Sequence, residues 1–549
     1  MERHVRVTCQ WLARNVWWLL PLALAVALRL LNLPGQVLID DETHALRYAH
    51  ARDAGWILTN YSGTDYGRPL ALLCRAYFRL GLRIGEMDLR VPGLLAGFLL
   101  VVGLPLAVRR AGLAEVSAWL CWLLATSPLL VLHSRIARTY MPATLLALAA
   151  VCCALAWMER GGRRWAGAYA VCAALAPLWH VVCVPLVLLP LPFAAVREML
   201  VPVEKRRGWL ALSGVSVATV GGLVALQLPA LESLLMVARR KAGAGSLSWN
   251  TLSANAWLQA GSTYVLVVCL FFGLVLLGAW HLRQRATILW FTITVVVGHL
   301  VALWALHPTG VDDPHVFARY FIIALPLVLF WAACGLVELA RMTHTRLAGA
   351  MFLLLLVGTG PLARPVYWRS TLSHHVALLR FDCPPPEFPL NALSPFYAEL
   401  GRRPGSAPLI EFPWDVTSAS GATFALQQRH RQTVIAAPGL GNVLSGPEFR
   451  LRWIIAPTPA SFLASPARYL VVHRDLPAEE RLLTFGKCPA LPSSPLPLER
   501  MARAMEQNLR AGWGAPVFED ALIVVWDLDR LRLAGGQLAP PHAAEPMGS

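Results

Sequence analysis

The sequence predicts a polytopic α-helical membrane protein with about 11 transmembrane helices and a C-terminal soluble α/β domain. Three observations carry this prediction. The 549 residues are 56% hydrophobic and only 15% charged, whereas soluble proteins carry about 25% charged residues. The apolar residues are gathered into runs, several close to the ~20 residues that a membrane-spanning helix needs. After residue 363 such runs cease, and short β-type segments take their place.

Eleven apolar runs fill the first two thirds of the chain. The segment 165–196 is divided at PLWHVVCVP, where Pro177 and Pro185 flank His180, and the orientation of everything downstream depends on that division. No small-residue cleavage site follows the first run, so a retained first helix is predicted. The runs lie near residues 16–33, 91–108, 114–132, 141–158, 165–180, 181–196, 209–228, 262–280, 286–306, 320–340 and 346–363.

The basic residues predict the orientation of the chain. With the N-terminus inside, the short inner segments hold sixteen Lys and Arg, against thirteen spread over roughly twice the length outside. This bias favours a cytoplasmic N-terminus and an extracytoplasmic C-terminal domain. The net charge of +16 comes from short clusters between apolar runs. That pattern fits membrane lipids as partners and no nucleic acid.

Three regions follow from the pattern. Residues 1–363 form the membrane domain, and its first outer loop, 34–90, mixes apolar and basic residues at the spacing of interfacial helices. Residues 364–535 contain β-type segments such as APLIEF, QTVIAA, RYLVVH and ALIVVWDL between helix-like stretches, which predicts a soluble extracytoplasmic α/β domain. Residues 536–549 are predicted to be a disordered tail.

Polar residues interrupt the apolar pattern at four places, all on the predicted outer face. The first is a run of three acids after the first apolar run. Clustered carboxylates at a membrane surface repel one another, so they indicate a cation, a metal or a proton to abstract. The full set is Asp40, Asp41 and Glu42; His133, Ser134, Arg135, Arg138 and Tyr140; His180; and Asp312, Asp313, His315, Arg319 and Tyr320.

Side chains of these types support a narrow range of chemistry. A carboxylate beside a hydroxyl acceptor acts as a general base. Arginines bind a phosphate through bidentate, charge-assisted hydrogen bonds, and they stabilise the charge of a departing lipid phosphate. Together these groups indicate sugar transfer from a lipid phosphate to a hydroxyl.

Structural interpretations of the same residues stay open. Arg135 and Arg138 fit lipid headgroup anchors, Arg319 an ordinary helix-end arginine, and His180 a buried hydrogen-bonded histidine. No cofactor is certain. A divalent metal held by His180, His315 and an acid is chemically reasonable, although the spacing specifies no geometry.

Four segments resemble those of GT-C glycosyltransferases, in the group of the protein O-mannosyltransferases and the aminoarabinose lipid A transferase. IDDETHALRYA is similar to the Asp-Glu motif of their first loop, and HSRIARTYMPATLLALAA to their "SREARMY" segment. PLWHVVCVPL resembles the segment with a lone His, and FARYFIIALPLVLF the late helix start. The order and spacing of all four match over residues 1–363.

The resemblance implies the GT-C fold, a polyprenyl-phosphate sugar donor and an inverting single displacement. It also implies a bacterial cytoplasmic (inner) membrane, with the C-terminal domain in the periplasm. Asp41 would be the base, with Asp40 as its competitor and Glu42 as the third acid. Arg135, Arg138 and Arg319, with Tyr140 and Tyr320, would form the donor phosphate site, and His180, Asp312, Asp313 and His315 would complete the surroundings. The chain departs from the family at Ile136, where an acid is common, which puts a carboxylate role in that turn in doubt.

A different functional class is a transporter or flippase of a lipid-linked anionic substrate. Transporters carry internal repeats and polar residues at mid-membrane depth. Here the charges lie at the ends of the runs, and runs such as 141–158 and 346–363 are almost purely apolar. This distribution favours chemistry at the membrane surface over transport. The sequence leaves the sugar and the acceptor (lipid, glycan or protein) unspecified.

Overall fold

The structure is a computed structural model. It describes residues 17–33, 40–61, 67–82, 84, 86–202, 208–240, 248–262, 264–308, 310–363, 394–403, 407–412, 458–465, 467–474 and 496–535.

The part of the chain up to residue 363 is helical. Most of its helices coincide with the apolar runs. A helix makes all of its backbone hydrogen bonds within itself, and uniformly apolar side chains pack against neighbouring helices or lipid. The helices are α1 (Trp17–Leu30), α2 (Asp40–Ala51), α3 (Ala54–Thr59), α4 (Pro69–Arg79), α5 (Glu86–Arg110), α6 (Ala114–Thr126), α7 (Pro128–Arg135), α8 (Tyr140–Arg160), α9 (Arg163–Trp179), α10 (Val184–Leu188), α11 (Pro190–Leu200), α12 (Trp209–Gln227), α13 (Leu231–Arg240), α14 (Trp249–Ala260), α15 (Val265–His281), α16 (Ala286–Leu306), α17 (Pro314–Phe321), α18 (Leu325–Met342) and α19 (Leu347–Thr359).

Each of the eleven predicted runs contains at least one helix. Within the described residues, six helical stretches are long and apolar enough to cross a membrane, and the bent pair of α6 and α7 would make a seventh. The helical membrane fold is therefore confirmed, while the count of eleven crossings stays a prediction. The six stretches are Met87–Arg110, Tyr140–Arg160, Val181–Leu200, Trp209–Arg239, Val265–Leu306 and Leu325–Met342.

The run predicted as one helix over 114–132 is broken. α6 ends at Thr126, α7 begins at Pro128, and the two are bent by 56°. The break has a local cause, since Pro128 lacks an amide hydrogen and restricts Ser127, which adopts the extended conformation. α7 then continues to Arg135, so the predicted turn over 133–140 is shorter in the structure and spans residues 136–139.

The loop over 34–90 contains α2, α3 and α4, which share a small apolar core of their own. Buried Ala45 and Leu46 of α2 pack with Leu70 of α4 in this cluster. Ala137, from the turn before α8, belongs to the same cluster, and Trp179 at the end of α9 packs against it. The loop helices therefore cover the turn over 136–139.

The C-terminal region forms a four-stranded mixed sheet in the order β1-β2-β4-β3. β1 and β2 are parallel, and β4 pairs antiparallel with both β2 and β3. The long helix α22 packs its apolar side against one face of the sheet and α20 packs against the other. The elements are α20 (Pro395–Arg402), β1 (Leu409–Phe412), α21 (Pro459–Leu463), β2 (Tyr469–His473), α22 (Leu496–Trp513), β3 (Phe518–Glu519), β4 (Ile523–Asp527) and α23 (Leu528–Leu533).

Three of the four predicted β-segments are confirmed as strands in this region, and the fold class is that predicted from sequence. The segment QTVIAA lies outside the described residues, as do the predicted boundary at 363/364 and the predicted tail over 536–549.

Candidate functional site

The turn over 136–139 is the centre of the candidate site, and two glycines of α5 let it approach closely. A Cβ atom added at Gly93 would lie 3.2 Å from the carbonyl oxygens of both Ser134 and Ile136, and one added at Gly97 would overlap the Ser134 side chain. Helix α5 therefore packs closely against the end of α7, and a side chain at Gly93 would require the backbone there to shift by a few tenths of an ångström.

Two buried arginines fix the ends of the helices around this turn. Arg29 near the end of α1 donates to the carbonyl oxygens of Leu124 (3.2 Å) and Ala125 (3.3 Å), which the break in α6 leaves without helical partners. In return, Arg135 at the end of α7 donates to the carbonyl oxygen of Leu28 (2.9 Å). The end of α6 is thus held by an arginine of α1, and the end of α1 by an arginine of α7.

Glu42 is held in a buried ion pair. Its carboxylate accepts a hydrogen bond from Arg90 Nε of α5 (3.2 Å) and another from the backbone amide of Ala137 (2.8 Å). The side chains of Arg90 and Glu42 are 0% and 1% exposed. The carboxylate therefore links α2, α5 and the turn, and the predicted catalytic role of Glu42 stays a prediction.

The first turn of α2 lies beside Arg138. Arg138 Nη1 lies 2.9 Å from His44 Nδ1, and since a guanidinium has no acceptor, the imidazole nitrogen is the acceptor. Asp40 and Asp41 precede His44 by four and three residues in the same helix, a separation of one helical turn. Both predicted base candidates therefore lie one helical turn before His44, the residue that contacts Arg138.

A row of aromatic rings brings three distant segments together. Tyr140 at the start of α8 stacks on His180, with ring centroids 4.7 Å apart. His133 lies on one side of this pair, 5.5 Å from Tyr140, and Tyr320 of α17 lies on the other, 5.9 Å from His180. Arg138 contributes its guanidinium 5.8 Å from the centroid of the Tyr140 ring. Predicted site residues from three separate segments of the chain therefore do converge.

His133 is the most enclosed member of the row. It is fully buried, and both of its ring nitrogens are without hydrogen-bond partners among the described residues. Arg138 and Arg319 lie within electrostatic range of the ring. A buried imidazole with two open nitrogens beside two guanidiniums is suited to an anionic ligand.

Another buried arginine, Arg68, links the loop helices to the far side of the bundle. Arg68, which precedes α4, donates to the side-chain oxygen of Gln227 (2.7 Å) at the end of α12. Tyr61 donates to the same oxygen (2.6 Å), and its amide donates to Ser233 Oγ of α13 (2.8 Å). Burial raises the pKa of Tyr61 against the opposing effect of the Arg68 charge. The phenol therefore stays a donor.

Asp312 and Asp313 have structural contacts at the start of α17. Asp313 accepts from the backbone amide of His315 (2.7 Å) and so caps the helix. Asp312 Oδ1 lies 3.3 Å from His307 Nε2, and its carbonyl accepts from Thr251 of α14. These contacts hold the helix that carries Arg319 and Tyr320.

The predicted metal site receives no added support from the described side chains. Among them, no group of three or more His, Cys, Asp or Glu could hold a metal ion. His180 Nδ1 is already an acceptor for the amide of Val182 (3.2 Å), which leaves Nε2 as its other nitrogen. A metal at His180 and His315 stays a prediction, as do the roles of the acids and arginines.

Sequence reasoning overlooked four residues of this region. His44 carried a signal, because it lies one helical turn after Asp40. Arg29 was hidden inside an apolar run, and Arg90 was read only as loop charge. Gly67 lies between Thr139 and the carbonyl of Trp179, where an added Cβ would lie 2.6 Å from that oxygen, and nothing in the sequence predicts this contact.

No protein-family profile and no curated protein sequence matches this chain. Among solved structures it is similar to ArnT from Cupriavidus metallidurans, both in the apo state and bound to undecaprenyl phosphate. Each comparison gives a TM-score of 0.53 at 15% identity, over 93% of this chain and 98% of ArnT. The oligosaccharyltransferase of Archaeoglobus fulgidus gives a TM-score of 0.45 at 13% identity, over 85% of this chain and 70% of that one.

Proposed function

We propose, from the GT-C fold that this chain has, that it is an inverting glycosyltransferase. It transfers a sugar from a polyprenyl-phosphate donor to a hydroxyl acceptor at the outer face of the cytoplasmic membrane. One observation carries the proposal: Arg138, Arg319, His133 and the Tyr140–His180 stack lie together beside the helix turn that holds Asp40 and Asp41. Binding of undecaprenyl phosphate to ArnT supports a polyprenyl donor.

Arg138 and Arg319 bind the donor phosphate. Both lie within electrostatic range of the His133 ring, and a phosphate between them would accept a hydrogen bond from the N–H of that imidazole. Two guanidiniums neutralise the charge that the leaving phosphate gains when the glycosidic bond breaks. Arg135 acts through structure instead, since it is 2% exposed and donates to a carbonyl of α1.

The reaction is a single displacement. The Asp41 carboxylate takes the proton of the acceptor hydroxyl while the oxygen attacks the anomeric carbon. The bond between that carbon and the phosphate oxygen breaks, and the phosphate keeps the electron pair. Polyprenyl phosphate leaves without a protonating acid, and the configuration at the anomeric carbon inverts.

The test uses purified enzyme, a panel of polyprenyl-phosphate sugars and candidate acceptors. Asp41→Asn is expected to lower turnover by 100-fold or more with little change in KM, since a general base contributes about 10²–10⁴-fold. Asp40→Asn is the matched control and is expected to keep most of the activity. Full turnover by Asp41→Asn would assign the base elsewhere.

Three further outcomes bear on the class. Nuclear magnetic resonance of the product is expected to show the anomeric configuration opposite to that of the donor. Movement of an intact lipid-linked substrate across vesicles, with no bond cleaved, would instead identify a transporter. A C-terminal reporter is expected on the extracytoplasmic side. Its detection in the cytoplasm would contradict the predicted topology, which places the site residues on the outer face of the membrane.

A further inference from the structure

A cavity lies far from the candidate site. It has a volume of about 320 Å³ and lies between α5, α8, α16 and α18, at the lower end of the roughly 300–1,000 Å³ typical of ligand sites. α5 runs from Arg90 beside Glu42 to Arg110 at this cavity. Twenty helical residues span about 30 Å. The charged mouth of the cavity therefore lies about 30 Å from the site, which is the thickness of the hydrocarbon core of a bilayer.

The inside of this cavity is apolar. Its wall includes Leu104 of α5, Leu148 of α8, Phe291 of α16 and Phe330 of α18. Such a wall offers few hydrogen bonds to a polar ligand, whereas a lipid acyl chain needs none and packs against apolar side chains through van der Waals contacts. The lining therefore selects a hydrocarbon chain.

The mouth of the cavity is basic. Arg110 and Arg160 are both exposed and line the cavity, and Arg160 donates to the carbonyl oxygen of Arg110 (2.6 Å). Exposed Arg109, Arg163 and Arg164 flank them in the chain, and the one acid in the lining is Glu159. The Arg164 guanidinium lies 5.2 Å from the centroid of the Trp165 ring, which also lines the cavity. Tryptophan and arginine together are typical of the level of lipid headgroups.

We propose that this cavity binds one anionic glycerophospholipid, with an acyl chain inside and the phosphate at Arg110 and Arg160. The lining holds two arginines against one glutamate, and three further exposed arginines flank them in the chain, which gives the charge complementarity for an anionic headgroup. The surrounding bilayer supplies this ligand. The site is independent of the proposed glycosyl transfer, because it lies at the other end of α5 and α8.

Gly103 of α5 gives a way to fill the cavity without straining the fold. It lines the cavity, and a Cβ atom added to it meets nothing within 4 Å. Gly103→Leu therefore occupies the space of the acyl chain. Gly214→Leu in α12 is the matched control, because its added Cβ also meets nothing within 4 Å and it does not line the cavity.

The experiment measures lipid retention by native mass spectrometry of the full chain after detergent extraction. Dioleoyl phosphatidylglycerol is compared with dioleoyl phosphatidylcholine, which has the same chains and no net charge. The wild type is expected to retain phosphatidylglycerol at least fivefold better. Arg110→Gln is expected to lower that retention about fivefold, since one arginine near an anionic surface contributes about 1 kcal/mol. Arg79→Gln, an exposed arginine of α4, should leave it unchanged.

Gly103→Leu is expected to lose the retained lipid, while Gly214→Leu keeps it. If Gly103→Leu does not fold, Ala149→Leu fills the same cavity from α8. Equal retention of the two lipids would overturn the proposal, as would full retention of phosphatidylglycerol by a folded cavity-filling variant.

Discussion

Three arginine side chains are buried where helices meet the candidate site, and each has a different structural partner. Arg29 binds carbonyl oxygens of α6, Arg135 binds one of α1, and Arg90 pairs with Glu42. Buried charges are tolerated only where hydrogen bonds or an opposite charge compensate the loss of water. The basic residues of this region therefore divide into those that hold the backbone and those, Arg138 and Arg319, that lie within electrostatic range of the ring of His133.

The Glu42–Arg90 pair is predicted to be needed for stability. Glu42→Gln leaves the guanidinium of Arg90 buried without its counter-charge, which costs about 3–5 kcal/mol. Thermal unfolding of the purified protein should show a lower melting temperature, together with reduced turnover. Asp41→Asn is the comparison, because it should reduce turnover and leave the melting temperature unchanged. A Glu42→Gln protein as stable as the wild type would refute the stabilising role of the pair.

Gly67 is predicted to tolerate no side chain. Its added Cβ would press on Thr139 and on the carbonyl of Trp179, the residues directly before Tyr140 and His180. Gly67→Ala should therefore destabilise the protein by about 1–3 kcal/mol and lower turnover by displacing the stacked pair. Gly167→Ala, in open space on α9, is the control for thermal stability and activity assays. Equal behaviour of the two variants would contradict the packing argument.

At the scale of elements, the break between α6 and α7 is the feature that builds the site. It turns α7 by 56°, so that Arg135 meets α1 and the end of α7 meets α5. The break exposes carbonyl oxygens at the end of α6, and Arg29 supplies the hydrogen bonds that the helix would otherwise have supplied.

Arg29→Met is predicted to separate these elements. The carbonyl oxygens of Leu124 and Ala125 would then be buried without donors, at about 1–3 kcal/mol each. The melting temperature should fall, and Arg29→Lys should restore part of it because lysine keeps the charge and loses the forked geometry. Arg79→Met on the exposed face of α4 is the control. A melting temperature unchanged in Arg29→Met would show that water reaches these carbonyl oxygens.

The helices were largely predictable from the sequence, whereas the contacts between them were not. Long apolar runs predict helices because their composition alone decides burial, and all eleven runs contain one. The break at Pro128 was visible as a proline, yet its consequence depends on Arg29, about 95 residues away. Likewise Arg138 and His180 were named from sequence, whereas the His44 contact requires the loop helices to fold over the turn.

At the scale of the whole molecule, an ion-pair network in the C-terminal region should make the chain sensitive to acid. Arg474, after β2, donates to Glu506 of α22 and Glu519 of β3, and Arg510 also bonds both acids. Hydrogen bonds from Arg474 lower the pKa of Glu506, and those from Arg510 lower the pKa of Glu519.

The sign of the pH effect follows from these pKa values. Both are depressed in the folded state, so the stabilisation is present above the ordinary value of 4.5 and is lost as the pH falls through the folded-state values. The melting temperature of the wild type should stay level from pH 7 to pH 5 and drop as the pH falls below 4.5. Glu506→Gln should show a smaller drop, and Glu399→Gln, outside the network, the full one. An identical drop in all three proteins would exclude the network as the cause.

The buried position of Arg29 also has a consequence for the order of events during synthesis. α1 leaves the ribosome carrying an arginine whose carbonyl partners on α6 are made 95 residues later. At about 5–20 residues per second, this interval lasts roughly 5–20 seconds. Until then Arg29 must stay at the headgroups or in the insertion machinery. The end of α1 therefore settles in the membrane only when α6 and α7 arrive, and this end of the bundle is not fixed before they do.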